Sequence, residues 1–251
     1  MTQGKRSKWR TYKVLGHTLT ASVHIVTASL RNQLSVEKTQ KILERWENRI
    51  FDTAHIQLEI LGKEHLTKDA QVLLMSNHLS LLDVPSVLKA APCPVRAISK
   101  QELRRVPVFG RALEAMGTIF VDRKNLAHAK EQLKQGKKTL KENGVSLWVA
   151  AEGTRSRDGR LLKFKKGGFH LAQQLEMPIV PTWISGTLDV IPPDQWESVT
   201  HKTVSVSFGA PIETAGRSKD DIEELMRETR TAMLDLARNV GDDDVDTEAD
   251  V

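Results

Sequence analysis

One cysteine, one tyrosine and no long apolar run set the first limits on this chain of 251 residues. Cys93 alone can close no internal disulfide and build no cysteine-based metal site, which suits a reduced, cytoplasmic setting. No apolar stretch reaches the ~18 residues needed to span a bilayer. His17, Thr18, Thr20, Ser22 and His24 interrupt the first apolar segment, so neither a signal peptide nor a spanning helix is expected. Aromatic residues make up only 5% of the chain and no recognition motif is present, which argues against a nucleic-acid partner. There is no Gly-x-Ser-x-Gly, so no serine nucleophile on a strand–helix elbow is expected.

What is present suits one substantial globular domain with an appendage: 39% apolar and 27% charged residues. The formal charge of +5 conceals a more basic body. Residues 241–251 carry six acids and no base, so removing them leaves +11. A short acidic tail of this kind is expected to be disordered. A basic body calls for anionic company, whether nucleic acid, a phosphorylated substrate or an anionic membrane surface, and charge alone does not choose among them.

Two helices are expected first. Trp9 and Tyr12 sit among Lys5, Arg6, Lys8, Arg10 and Lys13, and Val14, Leu15, Leu19, Val23, Val26 and Leu30 follow near helical spacing. A second helix follows "LSVEKTQ", with Ile42, Leu43, Trp46, Ile50 and Phe51 on one face. Such a pair either packs on the main domain or lies on a membrane, apolar faces in lipid and basic residues on headgroups. From Ile56 onward short apolar runs alternate with helical or turn-rich segments: "IQLEI", "VLLM", "VRAIS", "TIFV", "SLWVAA", "PIVPTWI" and "VSVSF". This predicts an α/β fold whose mixed, mostly buried sheet is flanked by helices. The helices include "KEQLKQGKKTLKENG", closed by Asn143-Gly144, and a last one over residues 219–239.

In "SNHLSLLD", Asp83 follows His78 by five residues, about 140° apart on a continuous helix. The two can meet only across a turn, for which Ser80 as an N-cap and Pro85 early in a helix are suitable. Asp83 would then take the Nδ1 proton of His78 and leave Nε2 as a base. With no serine nucleophile nearby, the proton would come from a substrate hydroxyl, which favours transfer over hydrolysis. Taken alone, the pattern is weak, and a capping aspartate beside an incidental histidine is the better reading of it.

Three further signals add weight. "GTIFVDR" puts Asp122 and Arg123 at a strand end. "AEGTRSRDG" sets Arg155 and Arg157 on a loop freed by Gly153, and "LKFKKGGFH" adds Lys163, Lys165 and Lys166. Arginine after a glycine-bearing turn suits a phosphate, through bidentate guanidinium bonds and open backbone N–H groups. Each piece has a plainer reading: Arg123 pairing with a surface acid, Glu152 anchoring a loop, the lysines merely solvated.

In order and spacing these pieces resemble the lysophospholipid acyltransferase family, specifically the bacterial 1-acyl-sn-glycerol-3-phosphate acyltransferases. The family's first motif stands as Asn77, His78, Ser80 and Asp83. Its second resembles "SKQELRRVPVFGRALEAMGTIFVDR", with Lys100, Glu102, Leu103, Pro107, Gly110, Gly117, Phe120, Asp122 and Arg123 in place. The third is Glu152-Gly153-Thr154-Arg155-Ser156 followed by "FKKG", and the fourth is "MPIVPTWISG" with Pro178 and Pro181. The four motifs together cover roughly residues 55–186. One departure is Ala150-Ala151, where the third motif usually carries an aromatic residue and a proline.

The resemblance implies acyl transfer from acyl-coenzyme A or acyl carrier protein to the sn-2 hydroxyl of a lysophosphatidate, giving phosphatidate for phospholipid synthesis. His78 would be the base and Asp83 its orienting group. Lys100, Arg123 and Arg155 would meet the phosphate, while Asn77, Ser80, Glu152, Gly153 and Thr154 would support the loops. No metal or other cofactor is expected, because the thioester is already activated. The implied organisation is a membrane-surface helical pair over residues 1–54, a catalytic domain over 55–240 and an acidic tail over 241–251. The implied place is the cytoplasmic face of the inner membrane, peripheral or monotopic. Another lysophospholipid, glycerol 3-phosphate or a different lipid acceptor stays open, as do a thioester hydrolase and a non-enzymatic anionic-lipid binder.

Overall fold

Every strand expected from the apolar runs forms. The structure, a computed structural model, describes residues 7–121, 144–195 and 197–245. The strands are β1 (Gln57–Leu61), β2 (Leu73–Ser76), β3 (Val95–Ala97), β4 (Ser99–Lys100), β5 (Phe120–Val121), β6 (Ser146–Ala150), β7 (Ile179–Ser185) and β8 (Thr203–Phe208). Six of them make one sheet in the order β1-β8-β7-β2-β6-β3, and β4 pairs with β5 separately. Strands β7, β2, β6 and β3 run parallel, β8 opposes β7, and β1 runs with β8. The sheet is therefore mixed, with a parallel half whose carboxyl ends share one edge.

The helices are α1 (Lys8–Leu30), α2 (Val36–Ala54), α3 (Asp83–Ala90), α4 (Phe109–Ala115), α5 (Lys166–Leu175), α6 (Thr187–Val190) and α7 (Ile222–Asn239). Strand alternation decides which helices cover which face. Leu73 and Met75 of β2 point into a cluster with Phe169, Met226 and Met233, on the side of α5 and α7. Leu74 between them joins Val87, Val206 and Phe208, on the side of α3. With both faces covered, β2 is buried at all four positions, which is why it reads as an unbroken apolar run.

The two N-terminal helices differ in what they bury. Helix α2 is capped by Ser35, whose side chain accepts from Lys38 N at 3.1 Å. Its Ile50, Phe51 and Ala54 enter a cluster with Leu82, Val190 and Val204, so its apolar face belongs to the domain core. Helix α1 packs through Thr11, Ser22, Ile25 and Ala28, and leaves Trp9, Tyr12, Leu15, Leu19, Val23 and Leu30 exposed. The hydroxyls that interrupt the apolar pattern of α1 do not oppose the helix. Thr18, Thr20, Ser22 and Thr27 each donate to the carbonyl four residues back, at 2.8–3.0 Å. Among the described residues no helix is long and apolar enough to cross a membrane.

Two expectations change, and a third falls outside the described residues. The last α-helix starts at Ile222, behind a short 3-10 turn over Lys219–Asp221 that Ser218 and Asp221 close as a capping box. The acidic tail begins later than its composition suggests: Asp242 accepts from Trp183 Nε1 at 2.8 Å and Val245 O from Leu161 N at 2.8 Å. Val245 also packs against the core, so residues 241–245 are held, while 246–251 lie outside the described residues. The helix expected over "KEQLKQGKKTLKENG" lies outside them too, Gly144 excepted.

Candidate active site

Strand β2 ends at Ser76, flanked by Ala150 of β6 and Thr182 of β7. The chain then leaves the sheet at the shared carboxyl edge, where open α/β sheets gather functional groups. Asn77 fixes that exit. Its side-chain amide donates to Ile184 O at 2.8 Å and its carbonyl accepts from Ile184 N at 2.9 Å. His78 comes next, and its ring nitrogen Nδ1 lies 2.6 Å from Asp83 Oδ2.

Asp83 is fully buried and every oxygen is used. Oδ2 accepts from Leu79 N at 2.6 Å and Ser80 N at 2.9 Å as well as from the imidazole, and Oδ1 accepts from Thr187 Oγ1 at 2.6 Å. Four donors offset the cost of taking the carboxylate out of water. The turn that joins histidine and aspartate is thus organised by the aspartate itself. Ser80 is not the N-cap expected: α3 begins at Asp83, and Ser80 Oγ instead donates to Ile191 O at 2.7 Å and accepts from Leu82 N at 3.3 Å. It ties the turn to the segment after α6.

With Nδ1–H given to Asp83, Nε2 holds the lone pair, and no group among the described residues bonds it. The His78 side chain is 21% exposed, enough for a substrate to reach it. Trp148 of β6 meets the imidazole edge-on, ring centroids 5.9 Å apart, and is itself fixed by a 3.0 Å bond from Nε1 to Ser76 Oγ. Carboxylate on one side and indole on the other leave the ring little rotational freedom.

The loop after β6 is stitched to the same turn. Glu152 is buried, and its Oε1 accepts from His78 N at 2.9 Å while Oε2 accepts from Leu162 N at 3.1 Å. Ser156 N donates to His78 O at 2.7 Å. Between these anchors Gly153 adopts a φ of +68°, a conformation that favours glycine. Thr154 is exposed and Arg155 half-buried on the resulting loop. Arg157 pairs with Asp194 at 3.0 Å and Lys166 with Glu223 at 2.9 Å, whereas Arg155 has no carboxylate partner among the described residues. Lys100 is exposed at the end of β4, two residues after Ile98, whose N–H bonds Trp148 O at 2.8 Å. Arg123, like Asp122, lies outside the described residues.

Burial pushes the Glu152 carboxyl up to about 7, with the Asp83 charge adding to the rise and the bonds from Leu162 N and His78 N opposing it. The folded chain therefore holds this proton more tightly than the unfolded chain does. Stability from this group is full below about pH 4.5 and is lost as pH rises through about 7. We expect the unfolding free energy of the wild type, read by urea denaturation, to fall between pH 5 and 7 relative to Glu152→Gln, by on the order of 2–3 kcal/mol. Parallel profiles for the two proteins would remove the assignment.

Thr187 carries no sequence signal, yet its hydroxyl completes the Asp83 shell. It opens α6 directly after Gly186, whose φ is +81° and where a Cβ would lie 2.3 Å from Thr203 O. Thr187→Val keeps the shape and deletes the bond, leaving one Asp83 oxygen without a donor. The expected result is a stability loss of about 1–3 kcal/mol and a several-fold lower turnover with KM unchanged, read by urea denaturation and steady-state kinetics.

A histidine tied at Nδ1 to a buried carboxylate and open at Nε2 is an arrangement that general-base chemistry uses, and the loop beside it carries an arginine with no carboxylate partner among the described residues. The chain belongs to the Acyltransferase family, whose sequence model matches residues 57–185. It is 34% identical over 188 residues to a 1-acyl-sn-glycerol-3-phosphate acyltransferase of Saccharomyces cerevisiae, covering 74% of this chain and 61% of that protein. It is 33% identical to the human 1-acyl-sn-glycerol-3-phosphate acyltransferase alpha, covering 75% and 66%. The chain thus spans somewhat under two thirds of the length of these relatives. Its fold is that of the crystal structure of a 1-acyl-sn-glycerophosphate acyltransferase from Thermotoga maritima, with a TM-score of 0.75 at 24% identity over 93% of this chain and 95% of that one.

Proposed function

We propose that this protein transfers a fatty acyl group from a thioester of coenzyme A or acyl carrier protein to the sn-2 hydroxyl of 1-acyl-glycerol 3-phosphate, yielding phosphatidate. The observation that carries the reading is the His78–Asp83 pair, with Nδ1 tied at 2.6 Å and Nε2 open. His78 Nε2 takes the hydroxyl proton while Asp83 holds the imidazolium that forms. The oxygen attacks the thioester carbonyl, the C–S bond breaks, and the imidazolium returns its proton to the leaving thiolate. Base assistance of this kind contributes ~10²–10⁴-fold, and orienting two bound substrates supplies the rest.

Arg155, Lys100 and Arg123 are the residues for the substrate phosphate. Arg155 leads because its loop is hydrogen-bonded to the His78 turn on both sides. Glu152, Gly153 and Thr154 shape that loop, and Asn77 and Ser80 hold the turn. An acceptor panel tests the assignment: lysophosphatidate, glycerol 3-phosphate and a neutral-headgroup lysophospholipid, each with both thioesters. Lysophosphatidate should give the highest kcat/KM, and a preference for another acceptor would reassign the substrate while keeping the base.

We further place the protein peripherally on the cytoplasmic face of the membrane through α1, with residues 55–240 as the catalytic domain. Tyr12, Leu19, Val23 and Leu30 recur at spacings of seven, four and seven, so they share one helix face, and all are exposed. At 23 residues α1 is ~34 Å long, and Lys13 sits over the Trp9 ring at 5.8 Å, an arrangement suited to a lipid–water boundary. Leu19→Gln with Val23→Gln should weaken vesicle binding ~10–100-fold without lowering stability, since both side chains already meet water in the free protein. Unchanged flotation would move the anchor elsewhere.

A further inference from the structure

A second face of α1 carries different chemistry. Lys13, His17, Thr20 and His24 recur at spacings of four, three and four, beside the exposed apolar stripe rather than on it. Across from them α2 presents Ile42, Arg45, Trp46 and Arg49. Between the two helices lies an open cavity of about 60 Å³, lined by His17, Thr20, Ala21, His24, Ile42, Arg45, Trp46 and Arg49. It has room for more than a single water molecule.

The lining contains two guanidinium groups, two imidazoles and no acid. Neither Arg45 nor Arg49 has a carboxylate partner among the described residues, although Lys41 one turn away takes Glu37 at 2.7 Å. The groove is also built rather than incidental. His17 Nε2 is held 3.0 Å from Thr53 Oγ1, and Trp46 Nε1 donates to Thr18 Oγ1 at 3.1 Å, so both walls are pinned by bonds between the helices. Burial, then the charges of Arg49 and Lys13, hold the His17 imidazole below its ordinary pKa. The two cations act in the same direction as burial, and no acid lines the groove to oppose them.

We propose that this groove binds the phosphate of an anionic membrane phospholipid, at a site separate from the catalytic turn. The two arginines give forked hydrogen bonds to the phosphate oxygens. Ile42, Ala21 and the indole of Trp46 face the glycerol backbone. The acyl chains continue along the neighbouring stripe of Leu19 and Val23, so one lipid satisfies both faces of α1. The proposal rests on α1 being the lipid-facing helix, and the experiment separates the two ideas.

Full-length protein is titrated with vesicles of phosphatidylcholine alone and of phosphatidylcholine with phosphatidylglycerol, at fixed ionic strength. The wild type should bind the anionic vesicles the more tightly. Arg45→Gln with Arg49→Gln should lose ~10–30-fold of that affinity and keep its affinity for phosphatidylcholine. Lys63→Gln with Lys68→Gln, an equal loss of charge outside the groove, should behave as wild type. An equal loss in both double variants would reduce the effect to net charge and overturn the site. Equal wild-type affinity for the two vesicle types would overturn it as well, while leaving the α1 anchor standing. Inorganic phosphate is the remaining arm. If it binds the wild type in solution and abolishes the anionic preference at low concentration, the groove belongs to the free ion and the lipid assignment is wrong.

Discussion

Replacing His78 with alanine should lower acyl transfer by ~10²–10⁴-fold while leaving the fold intact. The imidazole is partly open to solvent and, among the described residues, bonds only Asp83 and meets the Trp148 edge. Its removal leaves Asp83 with the bonds from Leu79 N, Ser80 N and Thr187 Oγ1, so the turn keeps its organiser. Asn77 and Glu152 still anchor the flanking backbone to β7 and to the loop after β6. The variant should therefore show wild-type denaturation, near-normal KM for lysophosphatidate and a collapse in kcat. Equal activity in wild type and His78→Ala would sink the mechanism.

Asp83 should behave differently, because under the proposed mechanism it serves chemistry as well as the hydrogen bonds of the turn. Asp83→Ala strands two backbone N–H groups and the Thr187 hydroxyl in a site closed to water. At about 1–3 kcal/mol for each buried donor left unmade, the loss is roughly 3–9 kcal/mol, a large part of a typical domain's stability. Asp83→Asn preserves the shape but turns an amide N–H₂ toward donors. The carboxamide cannot stabilise the imidazolium, and it favours the tautomer with Nε2 protonated. Turnover should then fall by up to about 10⁴-fold, as it does when a catalytic triad loses its carboxylate, with a smaller stability loss than in Asp83→Ala. Urea denaturation alongside kcat separates the two contributions. An Asp83→Asn protein with wild-type stability and turnover would refute both roles.

The contrast between the two residues bears on what the sequence made readable. His78 and Asp83 are five positions apart, so the sequence alone required a turn between them, and the turn exists. What closes it was not readable, because the closing bonds come from the backbone of Leu79 and Ser80 and from Thr187, 104 positions away. A lone threonine after a strand has no periodicity to betray it. Glu152 was legible as a loop anchor. Its second partner, the amide of the histidine itself, depends on β2 and β6 being neighbours, which is a property of the sheet rather than of either motif.

The N-terminal helices show the same division. Spacing revealed apolar faces on α1 and α2 alike, yet only the fold decides that α2 turns Ile50 and Phe51 inward while α1 leaves Leu19 and Val23 in solvent. The serines and threonines of α1 counted as polar interruptions in sequence. In the helix their hydroxyls bond carbonyls one turn back and add little to the polarity of the surface. Composition made the tail look disordered from Gly241 onward, but Asp242 reaches the buried Trp183. A single acid with a specific partner does not follow the statistics of its neighbours.

The most direct test of the account counts both products of one reaction. Purified protein is given an acyl-thioester with and without lysophosphatidate, and free thiol, new diacyl lipid and free fatty acid are measured together. The account predicts one thiol per phosphatidate, no fatty acid, and almost no thiol release until the acceptor is added. Thiol release without acceptor, matched by free fatty acid, would mean that water takes the acyl group and that His78 serves a hydrolase.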